Sequence, residues 1–134
     1  MKFIYRTITL VLYPFIIFLI YIRMLRNKED RIRYKEKLFA SCFKVIRNEN
    51  SKLLWFHAAS VGELKSIIPI IKELKKKNKN LDFLVTTVTL SSGKLANEVF
   101  KNQKNIQHRF FPIDVNFLIK KFIKSWSPNA IFLV

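Results

Sequence analysis

Hydrophobic and polar positions along the chain follow two regimes. In the first, residues 7–22 (TITLVLYPFIIFLIYI) form sixteen consecutive uncharged positions. As a helix these would extend about 24 Å at about 1.5 Å per residue. Starting at Phe3, with the Arg6 side chain snorkelling, brings the length to about 30 Å, the thickness of the hydrocarbon layer of a bilayer. Tyr5 and Tyr21 sit near its ends, where interfacial aromatics belong. Pro14 would kink such a helix, which a membrane tolerates. A cleaved leader would need small residues after the apolar run, but Arg23-Met24-Leu25-Arg26 follow. The pattern predicts a membrane anchor, spanning or monotopic; the alternative is a buried core helix. Seven basic and three acidic residues then occupy 23–37, against Lys2 and Arg6 before the run. The positive-inside rule places the rest of the chain in the cytoplasm, and the same cluster suits anionic headgroups. Residues 28–47 read as a helix, with Ile32, Leu38, Phe39, Cys42, Phe43 and Ile46 as its apolar stripe.

The second regime starts near residue 52. Leu53–His57 reads as a short buried strand, and 60–77 as a helix with Leu64, Ile67, Ile68, Ile71 and Leu74 on one side. Residues 81–89 (LDFLVTTVT) are β-branched and predict a strand, followed by a helix over 91–101 capped by Ser91. Residues 106–111 predict a third strand ended by Pro112. A helix over 114–126, capped by Asp114, leads to a fourth strand over 130–134. Strands alternating with helices of this length predict an α/β fold with a parallel, doubly wound sheet. The last strand runs to the final residue, so the chain is expected to be the N-terminal part of a longer protein.

Composition narrows the chemistry. The chain has 134 residues, half of them apolar, which is enough to build a core and excludes a disordered basic tail. Only Gly62 and Gly93 are glycines, so neither a G-x-G-x-x-G dinucleotide loop nor a Walker A loop is present. Cys42 stands alone and the histidines are His57 and His108. A disulfide within the chain and a cysteine zinc site are thereby excluded, and no metal site is expected. The net charge of +16 favours polyanionic partners, such as anionic lipid or phosphorylated substrates. Part of it also fits the Lys-, Asn-, Ile- and Phe-rich usage of an AT-rich genome.

Two strand-to-helix junctions carry the candidate chemistry. Ligands of open α/β sheets bind outside the carboxyl ends of the strands, where such turns lie. At the first, His57-Ala58-Ala59-Ser60-Val61-Gly62-Glu63, glycine permits close approach and Glu63 offers a carboxylate suited to general-base work on a hydroxyl. Ser60-x-x-Glu63 is equally a capping box, and the helix dipole favours a negative charge there without catalysis. At the second, Thr86-Thr87-Val88-Thr89-Leu90-Ser91-Ser92-Gly93, hydroxyls and helix N–H groups suit a phosphate or sugar; strand propensity and simple capping explain the same residues. His57, His108, Trp55 and Trp126 read as structural.

The order of these pieces resembles the N-terminal half of the 3-deoxy-D-manno-octulosonic acid (Kdo) transferases of lipopolysaccharide synthesis. The matching residues are Arg33, Glu36 and Lys37; Ser60, Val61, Gly62 and Glu63; Thr86, Thr87 and Thr89; Phe111 (or Phe110), Pro112 and Asp114; and Pro128. Lys35 and Phe39 stand where the family commonly has glycine, and Leu90 where it commonly has proline. The resemblance implies a Rossmann-like N-terminal half of a GT-B glycosyltransferase. Its divisions would be an anchor with basic flank over 1–26, a juxtamembrane helical segment over 27–50 and an acceptor-binding domain over 51–134. It further implies transfer of Kdo from CMP-Kdo to the lipid A precursor (lipid IVA) on the cytoplasmic face of the inner membrane, with no cofactor beyond the donor substrate. Glu63 would be the general base, and Ser60, Val61, Gly62, Thr87 and Thr89 would bind the acceptor. The donor would be held by a C-terminal domain beyond this chain, whose first motif, E-x-E-x-W-P-N, is expected after Val134. The membrane surface is an expected partner and nucleic acid is not. Two other readings fit the residues: a membrane-anchored basic protein that binds anionic lipid or nucleic acid, and a different GT-B lipid glycosyltransferase.

Overall fold

The computed structural model describes residues 2–134. It divides into two compact units. The first gathers the residues up to Lys44 with Pro112–Ser125, and the second is Val45–Phe111 with Trp126–Val134. Residues 112–125 thus group with the N-terminal segment.

The second unit is built on a parallel sheet of β1 (Lys52–Ala58), β2 (Leu81–Thr87), β3 (Ile106–Phe110) and β4 (Ala130–Leu133), in the order β3-β2-β1-β4. Two helices of this unit connect the strands, α2 (Val61–Lys77) and α3 (Leu90–Phe100). The α/β class and the parallel sheet agree with the sequence pattern. Residues alternate sides along each strand. Phe56, Ala58, Phe83, Val85 and Ile106 face Leu64, Ile67 and Ile71 of α2 and Ala96 and Phe100 of α3, in one apolar core. Each fully buried side chain of this size contributes about 1.5–3 kcal/mol. Gly93 sits where α3 crosses β3; a Cβ there would lie 2.4 Å from the buried Phe110 ring. Leu53, Trp55 and Leu84 are buried on the other side of the sheet, where Trp55 stacks on Phe111 with ring centroids 6.0 Å apart. The chain adds β2 and β3 on one side of β1, then returns to add β4 on the other. The order therefore reverses at β1, and this reversal is where crevices open in such sheets.

The first unit holds α1 (Lys2–Leu25), which contains Pro14, and most of α4 (Asn116–Trp126). Helix α1 is long and apolar enough to cross a membrane, with a mean hydropathy of 2.2, and only 6% of its most apolar stretch is buried. Within this chain, therefore, α1 is not a core helix. The predicted helix over 28–47 does not form. In its place are two short 3-10 turns, Arg33–Lys37 and Ala40–Cys42, with positive φ at Asn27 and Lys44. The cause is polar. Asp30 Oδ1 accepts the amides of Ile32 and Arg33 at 2.9 and 2.8 Å, which competes with helical pairing. Glu29 is buried and accepts from Arg23, 3.0 Å away, and from Lys37, partners that no helical spacing would bring to it together. Arg33 grips Glu36 through two bonds of 2.7 and 3.0 Å. Of the expected stripe, Leu38 and Phe43 are buried, while Ile32 and Ile46 lie in solvent. Asp114 is not a helix cap either. Helix α4 begins two residues later, and the Asp114 carboxylate instead accepts the Tyr5 hydroxyl at 2.6 Å.

Candidate active site

Strand β1 ends at Ala58, and two residues later Ser60, in extended conformation (φ −117°, ψ 167°), caps α2. The capping box predicted from Ser60-x-x-Glu63 forms in full. The Glu63 amide donates to Ser60 Oγ at 3.3 Å, and Glu63 Oε2 accepts the Ser60 amide at 3.4 Å. The carboxylate also reaches one residue further, accepting the Ala59 amide at 2.6 Å. All of these bonds use Oε2; Oε1 makes no hydrogen bond among the described residues. Capping therefore occupies one carboxylate oxygen and leaves the other for a proton. The N–H groups of Val61 and Gly62, in the exposed first turn, also lack partners among the described residues. Gly62 has no positive φ, and an added Cβ would meet only Ser60 Oγ, 3.9 Å away. Neither backbone conformation nor internal packing calls for glycine there. Its effect is to keep the space before the helix start open.

At the second junction, Thr89, not Ser91, is the cap. Its hydroxyl accepts the Ser92 amide at 3.2 Å and lies 2.7 Å from Ser92 Oγ. Leu90 and Ser91 present first-turn amides without partners among the described residues. Thr87 is fully buried, with its hydroxyl 2.8 Å from His108 Nε2, so it faces the helix-covered core and not an incoming ligand. The alternation of the strand explains this: Thr86 and Thr87 point to opposite sides. Two helix N-termini thus lie at the carboxyl ends of neighbouring strands. Each offers N–H donors and a partial positive charge, an arrangement that holds anions and hydroxyl-bearing sugars.

On the opposite side of the sheet, register places His57, Thr86 and Arg109 in one row across β1, β2 and β3. Thr86 Oγ1 receives Trp55 Nε1–H at 2.9 Å and stands 2.9 Å from His57 Nδ1. The indole can only donate, so Thr86 Oγ1 accepts from Trp55 and shares its second hydrogen bond with His57 Nδ1. The imidazole packs on Phe111 with ring centroids 4.5 Å apart. Burial pushes the His57 pKa below its ordinary 6.5, opposed by the nearby Glu63 charge, so the ring is neutral at pH 7. The sequence pattern offers Thr86 only as a strand-end hydroxyl and His57 as a strand residue, and does not bring the two together. The available signal was the pairing of β1 with β2, which a periodicity argument does not supply. Among the described residues no group of three or more His, Cys, Asp or Glu side chains gathers as a metal cluster would.

A carboxylate with one unbonded oxygen thus stands beside exposed N–H donors, where the strand order reverses. The arrangement suits proton removal from a hydroxyl held at the start of α2. The family model described as 3-Deoxy-D-manno-octulosonic-acid transferase (kdotransferase) matches residues 30–134. Among curated proteins, the chain is 36% identical over 132 residues to a probable mitochondrial 3-deoxy-D-manno-octulosonic acid transferase of Arabidopsis thaliana, covering 97% of this chain and 28% of that protein. It is 34% identical over 125 residues to the 3-deoxy-D-manno-octulosonic acid transferase of Rickettsia bellii, covering 93% and 29%. The enzyme of the same name from Haemophilus influenzae matches at 28% identity over 131 residues, covering 96% and 29%. The chain spans less than a third of the length of these relatives. No solved structure matches it. With a family match over three quarters of its length, and relatives that align along nearly all of it, the chain belongs to the 3-deoxy-D-manno-octulosonic acid transferase family.

Proposed function

We propose that this chain is the acceptor-side part of a GT-B glycosyltransferase that moves Kdo from CMP-Kdo to the lipid A precursor, lipid IVA. Glu63 is the general base. Its unbonded Oε1 takes the proton from a glucosamine 6-hydroxyl as that oxygen attacks the anomeric carbon of Kdo. The bond from that carbon to the CMP phosphate breaks, and CMP leaves with the bonding pair. The two caps formed by Oε2 fix the carboxylate, so little reorganisation is needed at the moment of transfer. Ser60 and the amides of Val61 and Gly62 border the acceptor, and Thr89 with the start of α3 lies beside them. Thr87 takes a supporting part from within the core. The donor is held by protein outside this chain, which covers 28% of the length of the Arabidopsis thaliana relative. The second unit, with its sheet, is the acceptor-binding part, and α1 holds the chain at the cytoplasmic face of the inner membrane.

The observation that carries this reading is the split use of the Glu63 carboxylate, with one oxygen capping α2 and the other unbonded. An anionic bilayer and a phosphorylated acceptor both suit the +16 charge. The test is to incubate the complete transferase carrying this chain with CMP-Kdo and lipid IVA, and to weigh the lipid by mass spectrometry. A mass gain of one or more Kdo residues is expected. Lipid IVA left unmodified while a different nucleotide sugar is consumed would overturn the substrate assignment.

A further inference from the structure

The midpoint of α1 is tied to the first unit by polar contacts. Tyr13, in the middle of Lys2–Leu25, donates its hydroxyl to the Leu38 carbonyl and packs edge-to-face on Phe117, with ring centroids 5.5 Å apart. Two turns earlier the Tyr5 hydroxyl bonds the Asp114 carboxylate at 2.6 Å. Arg6, Thr9 and Leu10 line a cavity of about 160 Å³ with Val115, Asn116 and Phe117. After Leu25 the chain therefore doubles back beside the helix, carrying Lys28, Asp30, Arg31, Arg33 and Lys35 before it meets Tyr13 at Leu38.

The two sides of α1 differ in consequence. Thr9, Tyr13, Ile16 and Ile20 recur at helical spacing and are partly or fully covered. Ile4, Ile8, Val11, Phe15 and Phe18 recur at the same spacing on the opposite side and are all exposed, with no charge among them. A helix crossing a bilayer upright would carry the Leu38 carbonyl, the Asp114 carboxylate and the returning charged segment into the hydrocarbon. Non-helical backbone and charged side chains do not persist in lipid-facing hydrocarbon.

We propose that α1 lies in the plane of the bilayer interface. Its Ile4–Phe18 side would sink into the acyl boundary by about 5–10 Å, and its other side would rest on its own protein unit. The occupant of this exposed face is the surface of an anionic bilayer. Arg23, Arg26, Lys28 and Arg31 beside the end of α1, and the exposed Lys120 and Lys121 of α4, supply the complementary charge. The proposal rests on the reading that α1 is the membrane anchor, and it specifies how that anchor is seated.

The experiment places single nitroxide labels at Ile4→Cys, Val11→Cys and Phe18→Cys in a Cys42→Ser background. The labelled full chain is bound to vesicles of phosphatidylethanolamine and phosphatidylglycerol. Flotation reports binding, and electron paramagnetic resonance power saturation reports depth. These positions are seven residues apart, or about 10 Å along the axis. Flotation with all three labels at one shallow depth is expected. Flotation with labels spread by about 10 Å per step, Val11 being deepest, overturns the in-plane seating but keeps the anchor. Failure to float overturns the anchor and the seating together.

Discussion

Glu63 Oε2 lies 2.6 Å from the amide of Ala59, one residue outside the cap that Ser60 makes. The carboxylate is therefore fixed from two consecutive amides, and the Ser60 hydroxyl is a lesser part of the support. Ser60→Ala removes one cap bond, which typically costs about 1 kcal/mol. The Ala59 and Ser60 amides still hold Glu63 in that variant. Thermal melting should show the stability loss, and initial rates of the complete transferase should fall by less than about tenfold, short of the loss expected when a general base is removed.

The two glycines should respond to alanine with opposite signs. At Gly62 the added methyl meets only a 3.9 Å contact within a helix. Stability should rise by about 0.5–1 kcal/mol from reduced freedom of the unfolded chain. Transfer should nevertheless fall, because the methyl occupies the space where the acceptor approaches. At Gly93 the methyl would meet the Phe110 ring at 2.4 Å, and overpacking should lower stability by about 1–3 kcal/mol. Melting curves of the two variants, with rates for Gly62→Ala, test both statements.

His57 gives the fold a pH dependence on the acid side. Its folded pKa is depressed by burial below the ordinary 6.5, so the unfolded chain binds the proton more tightly. The resulting stability is fully present above about pH 6.5 and is lost as pH falls through that value towards the folded pKa. His57→Gln has no such titration. Between about pH 7 and 5 the midpoint of thermal unfolding should fall more steeply for the unsubstituted chain than for this variant. Parallel curves would show that His57 does not titrate differently on folding.

Much of this architecture is written in local pattern. The alternation of β-branched and aromatic runs with amphipathic stretches places every strand and α2 to within a few residues, because each buries a continuous apolar side. The Ser60–Glu63 box was legible for the same local reason. What periodicity misses is set by polar contacts. Residues 28–47 carry apolar residues at helical spacing, yet Asp30 and the Glu29 ion pairs hold them in 3-10 turns. Thr86 and His57 meet only because β1 and β2 pair in a register that the sequence does not state. Asp114 looked like a cap until Tyr5, 109 positions away, claimed its carboxylate.

The central claim is that Glu63 accepts a proton from the attacking hydroxyl. Glu63→Gln keeps a carbonyl oxygen able to receive the Ala59 and Ser60 amides, so the melting midpoint should correspond to a change of no more than about 1 kcal/mol. The amide cannot act as a base, and loss of a general base typically lowers rate by about 10²–10⁴. The deciding measurement is the initial rate of Kdo transfer from CMP-Kdo to lipid IVA by the complete transferase, with and without Glu63→Gln. A hundredfold or greater loss at near-unchanged stability is the predicted result. Retention of more than about a tenth of the rate would contradict it and leave Glu63 as a helix cap alone.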